Sequence, residues 1–117
     1  MELSRHSKLL RIFVGSTDKI GHQPLYEAIV FAALKEHLAG ASVIKGVMSY
    51  GASTRVRTSK LIEVSGDLPI IIEIVDEEEK INSFVDIADK LMEQANCGGL
   101  ITIEKAEVLY YKSERKK

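Results

Sequence analysis

Runs of apolar residues alternate with polar, glycine-punctuated stretches along the chain, and the spacing within each run predicts its element. Residues 8–15 are dense in β-branched and aromatic side chains and close on Gly15, the pattern of a strand. Residues 16–23 are polar and turn-like. Pro24 suits the first position of a helix, where its missing N–H costs nothing. From there residues 25–39 read as helix, with Leu25, Ala28, Ile29, Ala32 and Ala33 on one side and Gly40 as its stop. Val30, Phe31 and Leu34 make this helix apolar over much of its circumference, so it is expected to meet a second buried contact.

Residues 41–50 predict a second strand. Residues 52–67 form the longest connection, with a short strand-like stretch at 56–64, and this segment is expected to be the most mobile internal one. Residues 68–75 carry the strongest strand pattern, with Pro69 tolerable only at its start. Asp76 and Glu79 have the spacing of a capping box, and Ile81, Phe84, Val85, Ala88, Leu91, Met92 and Ala95 then recur at helical spacing. Gly98 and Gly99 read as the stop. Residues 100–104 predict a last strand, which 106–111 extends or leaves to pair elsewhere. The order strand, helix, strand, loop, strand, helix, strand predicts an α+β fold. It is a ferredoxin-like βαββαβ sandwich, an antiparallel four-stranded sheet with two helices on one face.

Composition narrows the function classes. The chain has 117 residues, enough for one domain with a core at about 8–111 and a basic tail at 112–117. Lys plus Arg number 16 against 17 Asp plus Glu, so no global field points to nucleic acid. The polar N-terminus reads as no signal peptide, and no apolar run approaches the ~20 residues that span a bilayer. With Cys97 as a lone thiol, a reducing, cytoplasmic location is expected.

Catalytic motifs are sparse. His6, His22 and His37 share no ligand spacing, and neither a nucleophile elbow nor a phosphate-loop fingerprint occurs. No catalytic residue, metal or required cofactor is therefore expected. The acidic run at 76–79 invites a metal reading, but carboxylates at a helix N-terminus also complement its dipole. The Gly15–Gly21 loop, with Lys19, reads either as an anion loop or as a plain connector. Residues 51–60 carry more. Gly51, Ala52 and Ser53 permit close backbone approach, while Arg55, Arg57 and Lys60 supply cations that match phosphate oxygens. Arg55 and Arg57 also alternate with Val56, as on the solvent face of a strand. Tyr50, Tyr110 and Tyr111 are able to stack on bases or to pack at an interface.

Several segments together resemble a known family. These are Leu10-Arg11-Ile12-Phe13-Val14-Gly15, Gly21-His22-Gln23-Pro24-Leu25-Tyr26-Glu27-Ala28-Ile29, Gly40-Ala41-Ser42-Val43, Ser49-Tyr50-Gly51-Ala52-Ser53 and Leu68-Pro69-Ile70-Ile71-Ile72-Glu73-Ile74-Val75-Asp76. The chain resembles the PII-like signalling proteins, relatives of the PII nitrogen regulators, and more narrowly their domain-of-unknown-function 190 branch. The resemblance implies a homotrimer that holds an adenine nucleotide, ATP or ADP, in clefts between subunits. It also implies a mobile loop, here 52–67, that meets a target protein. By the same resemblance the cleft uses Ser42, Val43, Met48, Ser49, Tyr50, Gly51, Ala52 and Ser53, then Gly98 and Gly99, then Lys112 and Arg115 in the tail. The loop after the second helix is only Asn96-Cys97-Gly98-Gly99, without the lysine of PII, and Arg55, Arg57 or Lys19 are the candidates to replace it. Residues 52–67 also lack the tyrosine that many PII proteins modify. Two other readings stay open: a ligand-free interaction module of this fold, and a small enzyme acting on a phosphorylated substrate.

Overall fold

A computed structural model describes residues 6–50, 57–58 and 67–112. Its elements are β1 (His6–Gly15), β2 (Lys19–Ile20), β3 (Gln23–Pro24), α1 (Leu25–Lys35), β4 (Ser42–Lys45), β5 (Met48–Ser49), β6 (Arg57–Thr58), β7 (Pro69–Asp76), α2 (Glu78–Ala95) and β8 (Leu100–Glu107). The main sheet has the order β4-β7-β1-β8 with every neighbour antiparallel. This is the ferredoxin-like arrangement that the element order predicts.

Period-two alternation sorts the two central strands. Leu10, Ile12 and Val14 of β1 and Ile70, Ile72 and Ile74 of β7 are buried, and they form one core with Leu25, Ile29 and Ala33 of α1 and Ile81, Phe84, Ala88 and Met92 of α2. Both helices thus cover the same face. Fully burying one such side chain is worth ~1.5–3 kcal/mol, so this single layer contact carries the fold. On the opposite face, directly paired residues form cross-strand rows. Ile44, Ile71, Phe13 and Leu100 make one apolar row across all four strands, and Ser42, Glu73, Arg11 and Thr102 make the next.

Several boundaries differ from the sequence expectation, for local reasons. Residues 16–23 are not only turn: β2 and β3 pair across Gly21-His22, with Gly21 at φ 61°. Pro24 is the N-cap of α1 rather than its first residue, with an extended ψ of 136°. Helix α1 stops at Lys35, four residues before the expected end. His37 takes the left-handed conformation (φ 62°), its N–H bonds the Leu34 carbonyl, and that of Leu38 bonds Ala33, a Schellman motif. Helix α2 ends likewise on Asn96 (φ 51°), with Asn96 bonded to Glu93 and Cys97 to Met92. The expected stops Gly40, Gly98 and Gly99 therefore lie beyond the turns that end the helices. Gly99 instead lets β8 start close against β1, since a Cβ there would lie 2.6 Å from the Phe13 carbonyl oxygen.

The expected capping box is absent as well. Asp76 is fully buried at the end of β7, where Oδ1 accepts the Glu77 N–H (2.7 Å) and Oδ2 accepts the Ala39 N–H (2.9 Å). Glu77 holds the cap position with no side-chain bond. The Asp76 carboxylate is drawn instead to the α1–β4 connection. Lys80 joins it at 3.6 Å and donates to the His37 carbonyl at 2.5 Å. Of the predicted strand-like stretch at 56–64, only the backbone of 57–58 lies within the described residues. The prediction about 52–67 as a whole falls outside them.

Candidate functional site

The candidate residues divide between the two ends and the two edges of the main sheet. Ser42 and Val43 belong to edge strand β4, and Ser42 pairs with Glu73 of β7. Beyond the other end of β4 the chain turns at Gly46, whose N–H bonds the Pro69 carbonyl, and forms a small ribbon. There Met48 pairs with Thr58 and Ser49 with Arg57. The fold thus brings two of the predicted site residues, Ser49 and Arg57, into direct register. Tyr50 follows and is exposed. Gly98 and Gly99 sit at the same end of the sheet as the ribbon, but at the β8 edge. Two strands separate these edges, three spacings or roughly 14 Å. Gly51, Ala52, Ser53, Arg55, Lys60 and Arg115 lie outside the described residues.

At the opposite end of the sheet lies a cavity of about 560 Å³. Its floor is Leu9 of β1, Glu73 and Val75 of β7, and Ser42 of β4, all on the face away from the helices. Its walls are the 39–41 connection, the end of β8 at 106–107, and residues 108–111, which leave β8 above the floor. Tyr111 completes the crossing, its hydroxyl donating to the Ala39 carbonyl at 2.9 Å. Lys112 turns back over the ring of Tyr110, 5.7 Å from its centroid. Among the described residues, Ser42 of the implied cleft and the stacking candidates Tyr110 and Tyr111 line this cavity.

Electrostatics at the floor are specific. Arg11 Nε donates to Glu73 Oε2 at 2.9 Å, and Arg11 Nη1 donates to Glu104 Oε1 at 2.5 Å. Bonding to Glu73, and next to Glu104, holds the guanidinium above its ordinary pKa, so it keeps its charge. Arg11 thereby orients the Glu73 carboxylate, which retains acceptor capacity toward the cavity because a carboxylate has about four lone-pair sites. Among the described residues no cluster of three His, Cys, Asp or Glu could hold a metal ion. No described helix is long and apolar enough to cross a membrane.

Sequence reasoning did not single out Leu9, Glu73 and Val75, which form the cavity floor. The available signal was their alternation with the buried Ile72 and Ile74, which puts Glu73 and Val75 on the other face. That this face forms a floor depends on the crossing segment, and no local pattern encodes it.

A sequence model of the DUF190 family, described as an uncharacterized ACR family, matches residues 7–108. The chain belongs to this family. A UPF0166 protein of Aquifex aeolicus is 37% identical over 103 residues, 88% of this chain and 93% of that protein. Among solved structures, this DUF190 chain is similar to CPII, a nitrogen regulatory PII-like protein from Thiomonas intermedia K12 bound to ADP, AMP and bicarbonate. The TM-score is 0.68 at 16% identity, with 88% of each chain covered. A phage SAM lyase in complex with S-methyl-5'-thioadenosine aligns at TM-score 0.50 and 17% identity, over 96% of this chain and 98% of that one. At these identities the likeness is one of fold, and it establishes the PII-like architecture.

Proposed function

We propose that this chain is a PII-like regulatory protein that binds an adenine nucleotide and relays its occupancy to a partner protein through the 52–67 loop. One observation carries the reading: the cavity pairs apolar walls with an oriented carboxylate and a hydroxyl, on a fold whose solved neighbour holds ADP and AMP. Leu9 and Val75 suit the flat faces of an adenine ring. Glu73 suits its exocyclic amine as an acceptor, and Ser42 suits a ring nitrogen. The phosphates then leave along edge strand β4, and Arg55, Arg57 and Lys60 are the counter-charges that the sequence offers.

The edge separation favours assembly. Gly98 and Gly99 stand about 14 Å from β4 within one copy, so they reach the same nucleotide only from a second copy docked along that edge. The open apolar row through Phe13 and Ile71, together with exposed Phe31 and Leu34 on α1, supplies surface for closed cyclic packing, here a homotrimer. The lyase neighbour favours a second reading, a small enzyme acting on an adenosine-containing or phosphorylated substrate, with Glu73 or Tyr111 as the proton-transfer group.

Titration calorimetry against ATP, ADP, AMP and cyclic nucleotides tests the proposal, with product analysis after each titration. Saturable binding without turnover is expected. Binding of none of these nucleotides sinks the reading, and release of a cleaved product moves it to the enzyme.

A further inference from the structure

The segment that closes the cavity is built as a strap. After β8 ends at Glu107, on one edge of the sheet, the chain reaches the Ala39 carbonyl, which precedes β4 on the other edge. Four residues of extended chain span at most about 14 Å, and three strand spacings are also roughly 14 Å. The backbone alone only just spans the crossing, and the Tyr111 side chain supplies the remaining reach to its anchor. Among the described residues little else holds it down. Val108 is half-buried, whereas Leu109 and Tyr110 are 75% and 77% exposed. Tyr111 makes a neutral, exposed hydrogen bond to Ala39. A segment with few buried apolar contacts and one exposed anchor opens at low cost relative to global unfolding.

We propose that residues 108–112 form a latch over the cavity, with the Tyr111 hydroxyl on the Ala39 carbonyl as its catch. The latch lifts to admit ligand and recloses over it. Its anchor residue adjoins a rigid post, because the Ala39 N–H is held by buried Asp76, itself bridged to Lys80. Breaking the catch thus frees the strap and leaves the receiving side in place. As a gate for a nucleotide the proposal rests on the functional reading above, but the latch itself exists or fails without ligand.

Tyr111→Phe removes the hydroxyl and keeps the ring, and Tyr111→Ala also removes the packing. Two measurements on the full chain decide. The first is the rate of chymotryptic cleavage after Tyr110 in ligand-free protein, which follows the population of the lifted strap when closing is fast. The expected increase for Tyr111→Phe is roughly two- to tenfold, the net worth of one hydrogen bond, and larger for Tyr111→Ala. The second is stopped-flow binding of a fluorescent ADP, whose association rate is expected to rise by a similar factor. Unchanged cleavage in both variants overturns the latch. Faster cleavage with unchanged association and faster dissociation overturns the gate, because the segment is then a wall of the site. If the parent binds no ADP, the gate is tested with whichever adenine nucleotide calorimetry shows to bind; if none binds, the nucleotide reading falls, and the cleavage rates alone then support or overturn the latch.

Discussion

Gly99→Ala separates packing from ligand chemistry at a residue the sequence nominated for binding. An added Cβ at Gly99 would sit 2.5 Å from Met92 Cε and 2.6 Å from the Phe13 carbonyl oxygen. Met92 ends in a flexible side chain that can move. The carbonyl belongs to the central strand β1, and Leu100, the next residue, pairs with Phe13 itself. Relief thus requires β8 to shift at the start of its ladder. Overpacking of this kind costs about 1–3 kcal/mol. At roughly 4 °C per kcal/mol for a domain of this size, the midpoint should fall by about 4–12 °C. Gly98 provides the control, because a Cβ there meets nothing within 4 Å. Gly98→Ala should leave stability within about 0.5 kcal/mol of the parent. Thermal unfolding followed by circular dichroism, at one fixed protein concentration, compares the three proteins. Equal midpoints for the two variants would refute the close approach of Gly99 to β1.

Sedimentation equilibrium is expected to give a trimer, and a monomer at micromolar concentration would sink the assembly. Replacing both Arg55 and Arg57 by Ala should weaken ATP or ADP binding at least about tenfold, since a charged hydrogen bond is typically worth ~1.5–3 kcal/mol. Parent-like calorimetric affinity in that double variant would reassign the arginines to a solvent or partner surface. Asp76→Ala strips the bonds to Ala39 and Glu77 and leaves Lys80 without its buried partner. Urea unfolding should show a loss of about 1–3 kcal/mol, the cost of leaving the Ala39 and Glu77 N–H groups without their acceptor, whereas a loss below about 0.5 kcal/mol would mean the carboxylate is not a structural post.

Local chemistry determined the elements. The alternation in β1 and β7, and the helical recurrence from Ile81 to Met92, each report one buried face, and that face is all a strand or helix needs to be recognised. Pro69 and the glycines around the turns then leave few ways to connect the elements. Helix ends were less legible. His37 and Asn96 accept left-handed backbone because a Schellman turn satisfies the last carbonyls, and neither residue announces this as glycine does. Asp76 has the spacing of a cap in sequence, yet it is captured by Ala39 and Lys80, which lie 37 and 4 residues away.

The site depended still more on tertiary structure. Among the described residues, Ser42 and Val43 lie on one edge strand of the sheet and Gly98 and Gly99 at the start of the other, because strand order, rather than sequence proximity, sets those distances. Glu73 and Val75 look like ordinary strand residues until residues 108–111 cross above them and Tyr111 bonds Ala39, 72 positions earlier in the chain. A cavity is the space left between elements that meet only after folding. The sequence by itself therefore determined the layers and the buried faces, and the packing of residues 108–111 against the sheet decided where the cavity lies.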